Sequence, residues 1–144
     1  MKVSEIQINY YPSILDNAKI TNSQSAVTLI KNHWNLGTLE LHEEVKIVLL
    51  NLGNYVLGIH HLSKGGITGS IVDTRLILSI ALKTLATGII LVHNHPSGNT
   101  NPSKADKDIT TKLKSCCDIM NIKLLDHLIV TKESYFSFAD EGLL

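Results

Sequence analysis

The stretch Gly88-Ile89-Ile90-Leu91-Val92-His93-Asn94-His95-Pro96 constrains the fold more than any other part of the chain. Four consecutive apolar residues, mostly β-branched, suit a strand covered on both faces, and such strands lie at the centre of sheets flanked by helices. Gly88 is expected to stop a preceding helix, because glycine tolerates the positive φ found at helix ends. Pro96-Ser97-Gly98 reads as a turn. Side chains alternate along a strand, so His93 and His95 leave the sheet edge on one face, close enough to share one ion.

The remaining pattern predicts one mixed α/β domain. Ala26, Val27, Ile30 and Trp34 recur at helical spacing across residues 23–34. Residues 43–50 read as a strand that begins half-exposed and becomes buried. Asn51-Leu52-Gly53-Asn54 suits a hairpin connection to a return strand over 55–59. After the loop Lys64-Gly65-Gly66, Ser70 or Asp73 caps a helix running to about Ala86. Its only polar stripe is Arg75, Ser79 and Lys83, which predicts a largely buried helix. Ala105, Ile109, Leu113, Cys116 and Met120 mark a further amphipathic helix. Residues 124–130 form another strand, and Tyr135, Phe136 and Phe138 pack near the C-terminus. Ile6, Ile8 and Tyr10 alternate with polar neighbours, a short strand signal that breaks at Tyr11-Pro12. Residues 1–40 are thus expected to form an arm and helix packed on a domain spanning 41–144. Such an arm is also compatible with a homodimer.

Composition excludes several classes. At 44% hydrophobic and 18% charged residues, the chain is a packed globule and not a disordered one. Lys plus Arg (13) balance Asp plus Glu (13), which argues against nucleic acid as main partner, since that affinity comes from clustered cations. Lys104, Lys107, Lys112 and Lys114 share one predicted helix, but Asp106, Asp108 and Asp118 dilute them, and a solvated face is expected. No apolar run approaches the roughly 18–20 residues that cross a bilayer. Met1-Lys2-Val3-Ser4-Glu5 lacks the apolar core of a secretion signal, so a cytoplasmic location is expected. Cys116 and Cys117 are adjacent and cannot staple distant segments. They are read as small hydrophobes on the inner face of their helix, not as zinc ligands.

A turn through Gly98, Asn99, Asn101 and Pro102 leads into the next helix, with Ser103 expected at its N-cap and Asp106 in its first turn. Ser103-x-x-Asp106 is sufficiently explained as a helix capping box. Folded back beside the strand end, Asp106 would also add one carboxylate oxygen to two imidazole nitrogens. Two His, one carboxylate and an open position form the ligand set of a hydrolytic zinc centre. His60 and His61 are strand neighbours that diverge, so structural or exposed roles are expected. Asp126-His127 is expected to orient a strand end or to sit behind the ligands. A zinc nucleobase deaminase would need H-x-E followed by P-C-x-x-C, and the chain has no P-C-x-x-C.

His93-x-His95, seven residues, then Ser103-x-x-Asp106 resembles the H-x-H-x7-S-x2-D signature of the JAMM (MPN/Mov34) metalloproteases. More narrowly, His93-Asn94-His95-Pro96-Ser97-Gly98, Pro102 to Asp106, Leu125-Asp126-His127-Leu128-Ile129-Val130 and Tyr135-Phe136-Ser137-Phe138 resemble its RadC-like branch, from about Glu43 to the C-terminus. The resemblance implies a three-layer α-β-α domain with a mixed sheet, of cytidine-deaminase-like JAMM/MPN fold. It implies Zn2+ held by His93, His95 and Asp106, and hydrolysis of an amide or isopeptide bond in a peptide or protein substrate. Ser103 would stabilise the oxyanion, and an upstream glutamate would serve as general base. Adjacent strand residues point to opposite faces, so only one of Glu43 and Glu44 can serve, and matching residues 45–51 to the corresponding strand of RadC-like proteins implies Glu43. The branch carries a DNA-repair label, which leaves a repair-associated or metal-holding scaffold protein as the alternative. The helix-hairpin-helix region of full-length RadC proteins has no counterpart in residues 1–40, and Leu76 follows Arg75 where many relatives have an acidic residue.

Overall fold

The computed structural model describes residues 1–7, 9–12, 18–65 and 72–144. Ile8, Gly66 and Ser70 lie outside them. In chain order the elements are α1 (Ser23–Asn32), β1 (Glu44–Leu50), β2 (Val56–Lys64), α2 (Thr74–Lys83), β3 (Gly88–Asn94), α3 (Lys104–Ile119), β4 (Lys123–Val130) and β5 (Tyr135–Ser137). The five strands form one sheet in the order β2-β1-β3-β4-β5. Only β3 and β4 are parallel, as a right-handed crossover through α3 allows. The sheet is therefore mixed, with the apolar β3 at its centre.

Alternation along the strands builds two cores. Val48, Leu50, Ile90, Val92, Leu128 and Val130 face α1 and pack with Ala26, Val27 and Ile30. Val45, Ile47, Leu49, Ile89 and Leu91 face α2 and α3 and pack with Ile77, Ala81, Leu113 and Cys117. Helices on both faces make a three-layer α/β domain. Each helix start is capped as its sequence requires. Asn22 forms a capping box with Ser25 on α1, Asp73 accepts from the Arg75 N–H on α2, and Ser103 pairs with Asp106 on α3.

Several expectations need correction. β1 is buried from its first residue, Glu44 included (6% exposed). Its two charged side chains find partners: Glu44 meets His42 at 2.7 Å, and Lys46 donates to the His33 carbonyl at 3.0 Å while lying 4.3 Å over the Trp34 ring. The return strand extends to Lys64. α2 is not largely buried: Thr74, Ile77 and Ala81 are its buried residues, Leu78 and Ile80 are partly covered, and Leu76 and Leu82 are exposed. It ends at Lys83, and Leu85, not Gly88, supplies the left-handed residue (φ 55°). Gly88 serves close approach instead, since a Cβ there would lie 2.8 Å from Leu125 Cδ1. The described residues of the arm ahead of Pro12 form no strand. Tyr10 donates its hydroxyl to the Leu57 carbonyl on β2, and Lys19 bridges Tyr55.

Candidate metal centre

β3 delivers His93 on the face toward α2 and α3, and the turn that follows brings His95 beside it. That turn is closed by Gly98 N–H donating to the His95 carbonyl (3.0 Å), with Gly98 at φ +81°, a region open to glycine at little cost. Asp106 enters from the first turn of α3. The resulting distances are His93 Nε2 to His95 Nε2 3.0 Å, His93 Nε2 to Asp106 Oδ1 3.2 Å and His95 Nε2 to Asp106 Oδ2 3.5 Å. For bonds of about 2.0–2.1 Å, ligand atoms at the corners of a zinc tetrahedron lie about 3.3 Å apart. The triangle has that size.

The orientation of each donor is set from behind. His95 Nδ1 lies 2.7 Å from the Asn99 carbonyl. A carbonyl only accepts, so the proton is on Nδ1 and the Nε2 lone pair faces inward. Asp106 Oδ2 accepts from the Ser103 N–H at 2.7 Å, and Ser103 Oγ accepts from the Asp106 N–H at 3.1 Å. The capping box and the carboxylate ligand position thus coexist on the same residues. Converging lone pairs and a carboxylate repel one another unless a cation lies among them, so this donor set fits a divalent ion. Protons respond to the same field. Hydrogen bonding to Asp106 raises the His95 pKa against the opposing effect of burial. Burial alone would raise the Asp106 carboxyl, yet hydrogen bonding with His93 and His95, and the charge of His93, hold it far below the usual carboxylate range.

The triangle forms part of the wall of a cavity of about 410 Å³. Glu43 and Ser103 line the same cavity, with Val45, Leu91, Ile109 and His127. Glu43 stands two residues before Val45 and shares its face. Glu44 points to the opposite face, toward His42 (2.7 Å) and His61 (3.8 Å). Of the other histidines, His60 and His61 are exposed on the edge strand β2. Within the lysine stripe of α3, Lys104 pairs with Asp108 at 2.5 Å and Lys114 with Asp118 at 3.1 Å.

Residues 20–143 match the RadC-like JAB domain. The chain is 50% identical over 130 residues to a UPF0758 protein of Flavobacterium johnsoniae, covering 90% of this chain and 56% of that one. It is 38% identical over 133 residues to a UPF0758 protein of Clostridium beijerinckii (92% and 56%) and 41% over 128 to one of Streptococcus sanguinis (89% and 55%). The chain belongs to the RadC-like JAB domain family. It spans a little over half the length of these curated relatives. Family and His-His-Asp cluster together are compatible with a metal-dependent hydrolase. Among the described residues, no helix is long and apolar enough to cross a membrane.

Two side chains of this RadC-like domain escaped sequence reasoning. Asn94, the middle residue of His-x-His, points to the α1 face and is fully buried. Its Nδ2 donates to the Leu39 (2.6 Å) and His42 (2.9 Å) carbonyls, and its Oδ1 accepts from the Glu44 N–H (2.7 Å). It therefore ties the segment carrying Glu43 to the strand carrying the histidines. Thr110 lies on the buried seam of α3, which runs Asp106, Thr110, Leu113 and Cys117. The apolar positions Ala105, Ile109, Leu113, Cys116 and Met120 share only Leu113 with this seam, because the seam is polar where it meets the site. Asp126 turns away from the cavity, accepting from the His127 and Ala139 N–H groups and the Ser137 hydroxyl.

Proposed function

We propose that this RadC-like domain is a zinc-dependent hydrolase of amide bonds, a peptidase or isopeptidase acting on a peptide or protein substrate. The observation that carries the reading is the convergence of two imidazole lone pairs and one carboxylate, spaced 3.0–3.5 Å apart, in a cavity whose wall also holds Glu43. Zinc bound there would supply Lewis-acid activation of water and of the scissile carbonyl.

Glu43 acts as general base, taking a proton from the attacking water and returning it to the leaving amine. Its backbone leads directly into β1, which is paired on both sides within the sheet, and this keeps the carboxylate on the cavity wall. Ser103 donates to the developing oxyanion. The helix cap uses an Oγ lone pair, so the hydroxyl proton is available to substrate. A separate general base for Ser103 is not required, and the serine is a donor and not a nucleophile. His93, His95 and Asp106 would hold the ion.

The test is hydrolysis of peptide and isopeptide substrate libraries by the zinc-reconstituted chain. Activity should vanish on chelation and return with zinc. Glu43→Gln should retain zinc and lose activity by about 10²–10⁴-fold, the usual worth of a general base. Activity that survives chelation, or an undiminished Glu43→Gln enzyme, would refute the proposal.

A further inference from the structure

Behind the metal centre lies a hydrogen-bonded chain of fixed polarity. Thr110 Oγ donates its single proton to the Asp106 carbonyl at 2.6 Å. It must therefore act as acceptor toward His127 Nδ1, which lies 2.6 Å away, and the His127 proton resides on that nitrogen. His127 is 1% exposed. Among the described residues its ring nitrogens meet only Thr110 and His93. His127 Nε2 is consequently a lone pair, and it accepts from His93 Nδ1 at 2.9 Å. That leaves the His93 Nε2 lone pair directed at His95 and Asp106.

We infer that His127 is the positioning residue of His93: one hydroxyl proton on Thr110 sets the tautomers of two imidazoles in series and aims His93 Nε2 at the ion. The inference rests on the metal-centre reading above and deepens it. Rotation of the His127 ring is blocked, because it stacks on Phe138 with centroids 4.6 Å apart and planes 11° from parallel. The chain also returns to the third ligand, since Thr110 grips the backbone of Asp106 itself. Strand and helix donors are thereby coupled through one buried ring.

The placement of His127 depends on an irregularity in β4. The β3–β4 register skips one residue, with Ile89 opposite Leu124 and Ile90 opposite Asp126. Leu124 packs on the α2/α3 side, and regular alternation from it would send His127 toward α1. The extra residue, Leu125, packs on the α1 side, and Asp126, opposite Ile90, falls on that same side. One inserted residue reverses the facing of everything beyond it, and this bulge turns His127 into the cavity wall.

Zinc affinity by chelator competition, together with 15N-histidine NMR of the full chain, tests the inference. His127→Phe keeps an aromatic ring against Phe138 but removes both ring nitrogens. It should weaken zinc binding by about 10–100-fold, the usual effect of losing a group that orients a ligand. His127→Gln, whose amide offers one acceptor and one donor, should recover most of that loss. Thr110→Val, should His127→Phe not fold, carries the same test: it frees the His127 tautomer and should also weaken zinc binding. In the zinc-loaded wild type, His127 should show its proton on Nδ1 and His93 should ligate through Nε2. A His127 proton on Nε2, or unchanged zinc affinity in a folded His127→Phe or Thr110→Val chain, overturns the inference and leaves the metal centre standing. Failure of the wild type to bind zinc would instead overturn the metal-centre reading, and this inference with it.

Discussion

Replacing Asn94 by alanine should separate the stability of the site's frame from its affinity for metal. The side chain is fully buried and makes three hydrogen bonds to backbone groups, at 2.6, 2.9 and 2.7 Å. Each hydrogen bond contributes about 1 kcal/mol net, and a buried polar group left without a partner costs about 1–3 kcal/mol. The expected destabilisation is therefore about 3–5 kcal/mol, equivalent to a fall in Tm on the order of 10 °C for a domain of this size. Zinc affinity should change far less than in His127→Phe, because Asn94 lies on the sheet face opposite the ligands. Asn94→Asp should be worse at neutral pH, since its carboxylate would face the Leu39 and His42 carbonyls, and it should recover partly in acid. Urea unfolding with parallel chelator competition measures both quantities. An Asn94→Ala chain within about 0.5 kcal/mol of wild type, or one that lost zinc while keeping its stability, would refute this assignment.

Other substitutions probe the frame independently. Burial by itself would raise the Glu44 carboxyl, but hydrogen bonds from Thr38 and His42 and the charge of Lys46 bring it below its ordinary value. A carboxyl depressed by folding contributes stability above its unfolded pKa of about 4.3 and loses it as pH falls through the folded value. The advantage of wild type over Glu44→Gln in urea midpoint should thus be full at neutral pH and shrink in strong acid, and a pH-independent difference would contradict this. Leu85→Gly should stabilise the chain by about 1 kcal/mol, because an 84%-exposed leucine at φ 55° gains little from burial and bears left-handed strain. A lower Tm would count against it. Burial pushes the Cys117 thiol up to about 11, so alkylation at neutral pH should label the half-buried Cys116 and reach Cys117 only on unfolding.

Much of the site was legible because short-range rules govern it. Period-two alternation alone puts His93 and His95 on one edge and separates Glu43 from Glu44. Capping chemistry alone starts α3 at Ser103, which brings Asp106 round. What escaped depends on tertiary context. Thr110 is polar, so apolar spacing does not single it out, yet it faces a polar wall. Nothing local to Asn94 reveals three backbone groups waiting on the opposite face. His127 is expected either to orient a strand end or to sit behind the ligands, and its facing depends on a one-residue bulge at Leu125 that no pattern in residues 123–130 announces. The ends and exposure of α2 depart from its apolar pattern for a related reason. Leucine content predicts burial only when a neighbour exists to cover it, and on α2 full burial is confined to Thr74, Ile77 and Ala81.

Zinc stoichiometry on the purified chain, measured by elemental analysis after dialysis and by direct titration, bears most immediately on the metal centre. Wild type should bind one equivalent, competing with protons as pH falls because the same three side chains attract both. His95→Ala and Asp106→Ala should each lose it. Stoichiometric zinc retained by both variants would place the ion elsewhere and contradict the metal centre.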